Sequence, residues 1–89
     1  MQFTWHEGKE LKNQKKHGVS FGEATSVFFD PLADTIPDPD HSVGEHRFLT
    51  LGRSSGGRLL VVSHAEDHNT IRIISAREAT RHERKNYQS

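Results

Sequence analysis

The sequence predicts an α+β domain: an antiparallel sheet of about four strands, with two N-terminal helices and one C-terminal helix, spanning residues 1–89 as one unit. Three observations predict it. Helix-start signals of the form Ser/Thr-x-x-Glu recur at Thr4, Ser20 and Ser75. Three segments rich in β-branched and large apolar residues, 46–53, 58–65 and 70–76, are separated by hairpin-type loops. The chain has 89 residues, of which 20 are Leu, Ile, Val or Phe, enough for one small core and no second.

The elements follow in order. Phe3-Thr4-Trp5 is a short β-prone start. A capping box at Thr4 and Glu7 opens a helix over about Trp5–His17, and Gly18 stops it in the left-handed conformation. Trp5 and Leu11 are its clear apolar members and predict one narrow buried stripe, while Lys9, Asn13 and Lys16 line another face. Ser20 and Glu23 open a second, short helix over about Phe21–Phe29, with Phe21, Ala24, Val27 and Phe28 as its apolar face; Asp30-Pro31 ends it. Leu32–Ile36 reads as an edge strand or as loop, and Pro37-Asp38-Pro39-Asp40 forbids pairing beyond it, predicting an exposed acidic loop through Gly44. The three strands then form a meander joined at Ser54-Ser55-Gly56-Gly57 and Glu66-Asp67-His68-Asn69. A last helix is predicted from about Ala76 to Tyr87, with Arg77, Arg81 and Arg84 on one face and Ala79, Glu83 and Tyr87 on the other. The order is β–α–α–β–β–β–β–α.

Net charge is zero but unevenly spread. Residues 1–18 carry four Lys against two Glu, residues 19–46 carry six acidic residues and no Lys or Arg, and residues 47–89 carry eight basic against four acidic. Such a chain can present a positive face to a polyanion and a negative face to a basic partner. There are no cysteines, which excludes disulfides, thiolate zinc sites and cysteine nucleophiles. No stretch approaches the ~20 apolar residues of a membrane span, and Met1-Gln2-Phe3-Thr4 has no signal-peptide core, so the expectation is a cytoplasmic protein that meets no membrane.

Pairing the strands by their loops sets Arg53 opposite Arg58, Arg47 opposite His64, and His64 opposite Arg72. An imidazole between two guanidiniums suits a phosphodiester: the guanidiniums neutralise phosphate oxygens and the imidazole moves a proton near neutral pH. The competing reading is a solvated sheet end, and a one-residue slip would dissolve the cluster. His64-x3-His68 and His41-x4-His46 have roughly ligand-like spacing, but neither pair sits on a helix and neither has a cysteine nearby, so no metal or other cofactor is expected. Neither a Gly-rich phosphate loop nor a Gly-x-Ser-x-Gly elbow is present.

Several strings, taken together, resemble the BrnT toxin family: Phe3-Thr4-Trp5, Asn13-Gln14-Lys15-Lys16-His17-Gly18-Val19-Ser20-Phe21, Val27-Phe28-Phe29-Asp30-Pro31, Glu45 through Arg53, and Arg72-Ile73-Ile74-Ser75-Ala76-Arg77 with Glu83-Arg84 and Tyr87. The resemblance spans nearly the whole chain in order. It implies a RelE-like fold and a ribonuclease toxin of a bacterial type II toxin–antitoxin pair, which arrests translation by cutting RNA. It also implies a ribbon–helix–helix antitoxin, BrnA-like, that binds the toxin in a hetero-oligomer. The departure is His46, where the family more often carries an acidic residue beside Glu45; if that position assists catalysis, the pH dependence differs.

RNA cleavage without a metal needs the 2′-hydroxyl deprotonated, the phosphorane charge stabilised and the 5′-oxygen protonated. Arg72, Arg77 and Arg53 are the candidates for stabilisation, His64 or His17 for proton transfer, and Glu83 for catalysis or for orienting an arginine. Lys9, Lys16, His17, Arg47, Arg81, Arg84 and Tyr87 are candidates for RNA binding, Tyr87 by stacking on a base unless it packs in the core. The alternative from another class is a catalytically inert RNA-binding or partner-binding module of the same fold.

Overall fold

The computed structural model describes residues 1–39 and 45–87. Its elements are β1 (Gln2–Trp5), α1 (Glu7–His17), α2 (Phe21–Ser26), a 3-10 turn (Val27–Phe29), β2 (Asp34–Pro37), β3 (Arg47–Arg53), β4 (Leu59–Asp67), β5 (Thr70–Glu78) and α3 (Arg81–Arg84). The α+β order matches the expectation. The sheet has five strands in the order β1-β5-β4-β3-β2, and it is mixed, because β1 pairs parallel to β5, with Gln2 opposite Thr70 and Trp5 opposite Ile73. The candidate edge segment does pair, as β2, antiparallel to β3. No helix among the described residues is long and apolar enough to cross a membrane.

One face of the sheet is covered. Val19, Phe21, Ala24 and Val27 from the α2 region pack on Leu60, Val62, Ile71, Ile73 and Ala76, with Phe3, Trp5 and Phe28 at the margin. The predicted apolar face of the second helix is thus its buried face. Ser20 caps it, its hydroxyl accepting the Glu23 N–H at 3.0 Å. Gly52 lets the 3-10 turn approach β3, since a Cβ there would lie 3.1 Å from the Val27 carbonyl oxygen and 3.0 Å from the Ala33 Cβ.

The first helix departs from its expected packing. Thr4 belongs to β1, so the helix is capped by His6, whose Nδ1 accepts the Lys9 N–H at 3.4 Å. Gly18, at φ 69°, ends it as expected. Leu11, expected in the buried stripe, is 62% exposed, and the buried residue is Asn13. β1 covers β5 only as far as Ile73, leaving the backbone of Ala76 on an open edge. Asn13 supplies the missing strand: its Oδ1 accepts the Ala76 N–H (3.1 Å) and its Nδ2 donates to the carbonyls of Ala76 (2.8 Å) and Val19 (2.9 Å).

The predicted strand register is corrected. Arg53 faces Leu59, Arg47 faces Ala65 and Phe48 faces His64; Asp67 faces Thr70, Ala65 faces Arg72 and His64 faces Ile73. Each hairpin differs from expectation by one residue. In the first, Arg58 lies outside the strand, its carbonyl accepting the Ser54 N–H at 2.8 Å. In the second, His68-Asn69 makes a two-residue turn, with His68 at φ 55°. The net effect is that β4 alone is turned over. Arg47 and Arg72 stay on one face, flanking Ala65, while His64 enters the core. An irregularity between Ser63 and His64 lets β5 change phase, so Ile71 and Ile73 point inward and then Ala76 does.

The last helix is also shorter than predicted. β5 runs through Glu78, and the capping box that forms is Thr80 with Glu83, not Ser75 with Glu78. Arg77 is therefore a strand residue and shares no helical face with Arg81 and Arg84. The Ala79 N–H bonds the Leu59 carbonyl (2.9 Å), and α3 lays the chain back over the Leu59 end of the outer face. Of the predicted acidic loop, residues 40–44 lie outside the described residues; Asp38, expected to be exposed, is buried. Two acidic side chains of the segment pair with arginines of the C-terminal half. Glu23 binds Arg58 and Glu45 binds Arg47 and Arg72. Arg58 also donates to the Gly18 carbonyl (3.0 Å), joining both N-terminal helices to the sheet.

Candidate active site on the outer face of the sheet

The outer face carries alternate residues of the three central strands: Arg47, Leu49, Leu51 and Arg53 of β3, Val61, Ser63 and Ala65 of β4, and Arg72 and Arg77 of β5. At one end, Thr4, Arg72, Ala65 and Arg47 form a row across four strands. Glu45 Oε1 accepts from Arg72 Nη2 (2.6 Å) and Arg47 Nε (3.2 Å), bracing both guanidiniums. Their hydrogen bonds hold its carboxyl below the usual carboxylate range. A depression of about 490 Å³ opens here, with His46 exposed on its wall beside Thr4 and Arg72, and Glu66 and Asp67 at its rim.

Further along β5, Arg77 grips Glu83 through two bonds, Nη1 to Oε1 (2.8 Å) and Nη2 to Oε2 (2.9 Å), the bidentate geometry that guanidinium favours. Glu83 also accepts the Thr80 N–H (2.9 Å). The Arg77 bonds, ahead of the Thr80 bond, pull the Glu83 carboxyl down to about 2. Glu83 is thus ionised near neutral pH and holds Arg77 in place. Between the arginine clusters the floor is apolar, with Ile36, Leu49, Leu51 and Val61 lining a groove of about 420 Å³ flanked by Asp34, Glu83 and Asn86.

At the far end of β3 the Arg53 guanidinium lies 5.3 Å from the centroid of the Tyr87 ring. The Tyr87 hydroxyl donates to Asp30, which pushes its pKa up. Tyr87 therefore has one face taken and its hydroxyl engaged. Arg81 and Arg84 are exposed on α3. Lys9, Lys16 and His17 line a separate depression of about 220 Å³ with Lys12, Ile74 and Ser75, on the part of β5 that β1 leaves uncovered.

His64 is not on this face. It is 0% exposed, its Nε2 lies 2.7 Å from the Thr50 hydroxyl, and its ring packs edge-on against Phe28 and stacks with Phe48. Glu66 Oε2 approaches Nδ1 at 3.3 Å but without hydrogen-bond geometry, leaving Nδ1 unpaired. Burial lowers its pKa to about 4. The ring is neutral and sealed from any RNA. The reasoning from residues missed Glu45 as the brace between Arg47 and Arg72; its signal was its place in the Glu45–Arg53 string. Among the described residues, no three His, Asp or Glu side chains converge as a metal-ligating group.

Two N-terminal helices on one face of a five-stranded sheet, with carboxylate-braced arginines and the short α3 on the other, define a small α+β domain. Residues 5–83 match the family model described as "Ribonuclease toxin, BrnT, of type II toxin-antitoxin system". The chain belongs to this family of ribonuclease toxins, and membership implies an antitoxin partner. The 1.1 Å crystal structure of the Brucella abortus ribonuclease toxin BrnT has the same fold, with a TM-score of 0.71 and 23% identity over 91% of this chain and 99% of that one. A search of curated proteins found no match.

Proposed function

We propose that the chain is a metal-independent endoribonuclease toxin, one domain over residues 1–89, that arrests translation by cutting RNA in the cytoplasm. A BrnA-like ribbon–helix–helix antitoxin silences it by covering the outer face. The observation that carries this is the outer face itself, where Arg47, Arg72, Arg77 and Arg53 share one surface and Glu45 and Glu83 hold three of them in position.

Arg72 and Arg77 lie opposite Ala65 and Val61, four residues apart on β4 and about 13 Å at strand rise, so they serve different phosphates of a strand laid along β5. The scissile phosphate sits at the Arg47–Arg72 corner, where two guanidiniums converge on one carboxylate. The 2′-oxygen attacks phosphorus, the bond to the 5′-oxygen breaks, and the products are a 2′,3′-cyclic phosphate and a 5′-hydroxyl. Arg47 and Arg72 take the added charge on the non-bridging oxygens. His46, the exposed imidazole on that wall, accepts the 2′-hydroxyl proton, in place of the buried His64; water protonates the leaving oxygen. Arg77 and Arg53 bind neighbouring phosphates, Lys9, Lys16, His17, Arg81 and Arg84 extend the cationic track, and Glu83 positions Arg77.

The test is cleavage of RNA by purified protein in excess EDTA. Cleavage should persist and leave cyclic-phosphate ends, and Arg72→Ala should abolish it with melting temperature within a few degrees of wild type, as for most surface changes. Activity that vanished with chelator and returned with zinc would reject the mechanism, and an Arg72→Ala protein that still cut RNA would move the scissile site.

A further inference from the structure

With the Tyr87 hydroxyl engaged, a second aromatic ring, Phe29, lines the same side of the molecule. Phe29 is 72% exposed, the most exposed of the large apolar side chains described. It stands with Arg53, Ser55 and Tyr87 around a hollow of about 390 Å³, a single-ligand size. Its mounting is rigid. The neighbouring Asp30 accepts from the Arg53 N–H (2.8 Å), the Leu32 N–H (3.0 Å) and the Tyr87 hydroxyl, and Ser26 Oγ accepts the Ser55 N–H (2.8 Å). The 3-10 turn, the end of β3 and the C-terminal turn are thus pinned together beneath the ring. Phe3 meets Phe29 edge-on at 6.2 Å, which orients the ring and leaves most of it open.

We propose that this hollow is a nucleotide subsite, in which a base of single-stranded RNA stacks on Phe29 and its phosphate binds Arg53. The proposal rests on the reading of the chain as a ribonuclease. An open ring beside a guanidinium is the arrangement that holds single-stranded nucleic acid without reading its sequence. Arg53 bonds the Gly57 carbonyl through Nη1 (3.0 Å), which steadies it at the edge of the hollow it helps to line. Arg53 lies six residues along β3 from Arg47, about 20 Å, so the subsite engages RNA long enough to cover that distance from the scissile corner. It sets a minimum substrate length.

The experiment is binding of a fluorescein-labelled, uncleavable 2′-O-methyl RNA 12-mer across a salt series. Phe29→Ala should weaken binding about tenfold without altering the salt slope, because it removes stacking and no charge. Phe29→Trp should restore affinity, and Arg53→Ala should weaken binding and flatten the slope by about one ion. Phe29 is exposed, so unchanged melting temperatures accompany these effects. If Phe29→Ala binds like wild type while Arg72→Ala does not, RNA lies elsewhere and the subsite is overturned with the ribonuclease reading intact. If wild type neither binds nor cuts RNA, that reading fails and the subsite with it. If Phe29→Ala weakens the antitoxin complex and not RNA binding, the ring is a protein contact and the proposal is overturned.

Discussion

Acidification from pH 7.5 to 5.0 should destabilise this fold through one residue, His64. Its ring is sealed between Phe28 and Phe48, and burial lowers its pKa to about 4. In the unfolded chain an imidazole titrates near 6.5. The unfolded state therefore takes up the proton first. Stability is whole above about pH 6.5 and drains as pH falls towards 4, levelling only once the folded ring itself is charged. Between pH 7.5 and 5.0 the linkage amounts to about 2 kcal/mol, within a limiting loss of about 3 kcal/mol at lower pH. In melting temperature that is roughly 10 °C for a chain of this size. Urea unfolding at both pH values measures it directly. His64→Phe is the control: it keeps an aromatic ring between Phe28 and Phe48, and the Thr50 hydroxyl keeps its 2.7 Å contact with Thr35. The variant should lose little over the same interval. Parallel losses in both proteins, or a His64 ring resonance titrating near 6.5, would refute the argument.

Two further outcomes follow from contacts elsewhere. Asn13→Ala leaves the Ala76 N–H and the Ala76 and Val19 carbonyls without their partner, which costs about 3 kcal/mol, read as a lower urea midpoint, whereas the exposed Lys12→Ala should change it by under about 0.5 kcal/mol. The antitoxin should associate more slowly as salt rises, since attraction to Arg53, Arg72, Arg77 and Arg81 is screened beyond roughly 8 Å at physiological ionic strength. An on-rate indifferent to salt and to an Arg77→Ala, Arg81→Ala double substitution would place the antitoxin on another surface.

The order of elements was legible because most of their signals are local. Ser20, Gly18 and Pro31 act within a few residues, and the second helix has an apolar face that admits one orientation. The register of β4 was not legible, because Leu59-Leu60-Val61-Val62 is apolar on both faces and fits either way up. What decides it is distant: Arg58 leaves the strand to bind Glu23, lengthening the hairpin by one residue. The C-terminal error has a similar source. Ser75-x-x-Glu78 and Thr80-x-x-Glu83 carry the same capping pattern, and pairing with β4 claims the first for the sheet. At the site, the arginines were visible as a composition bias; Arg47, Arg53 and Arg72 share a face as expected, whereas Arg77, expected on a helix, joins them on β5. The brace at Glu45 depends on contact between residues 45 and 72, which spacing along the chain does not reveal.

The parallel pairing of β1 with β5 makes the fold depend on two segments nearly seventy residues apart. Gln2 reaches its partner only once Thr70 has been synthesised. On a translating ribosome the first strand waits, unpaired, until residues 70–73 have emerged, and contacts this distant in sequence form slowly. Arg72 and Arg77 lie on the strand that completes the sheet, so the cationic face and the finished fold arrive together. A chain cut before Thr70 has neither: β1 is then left without a partner and the arginines of β5 are missing.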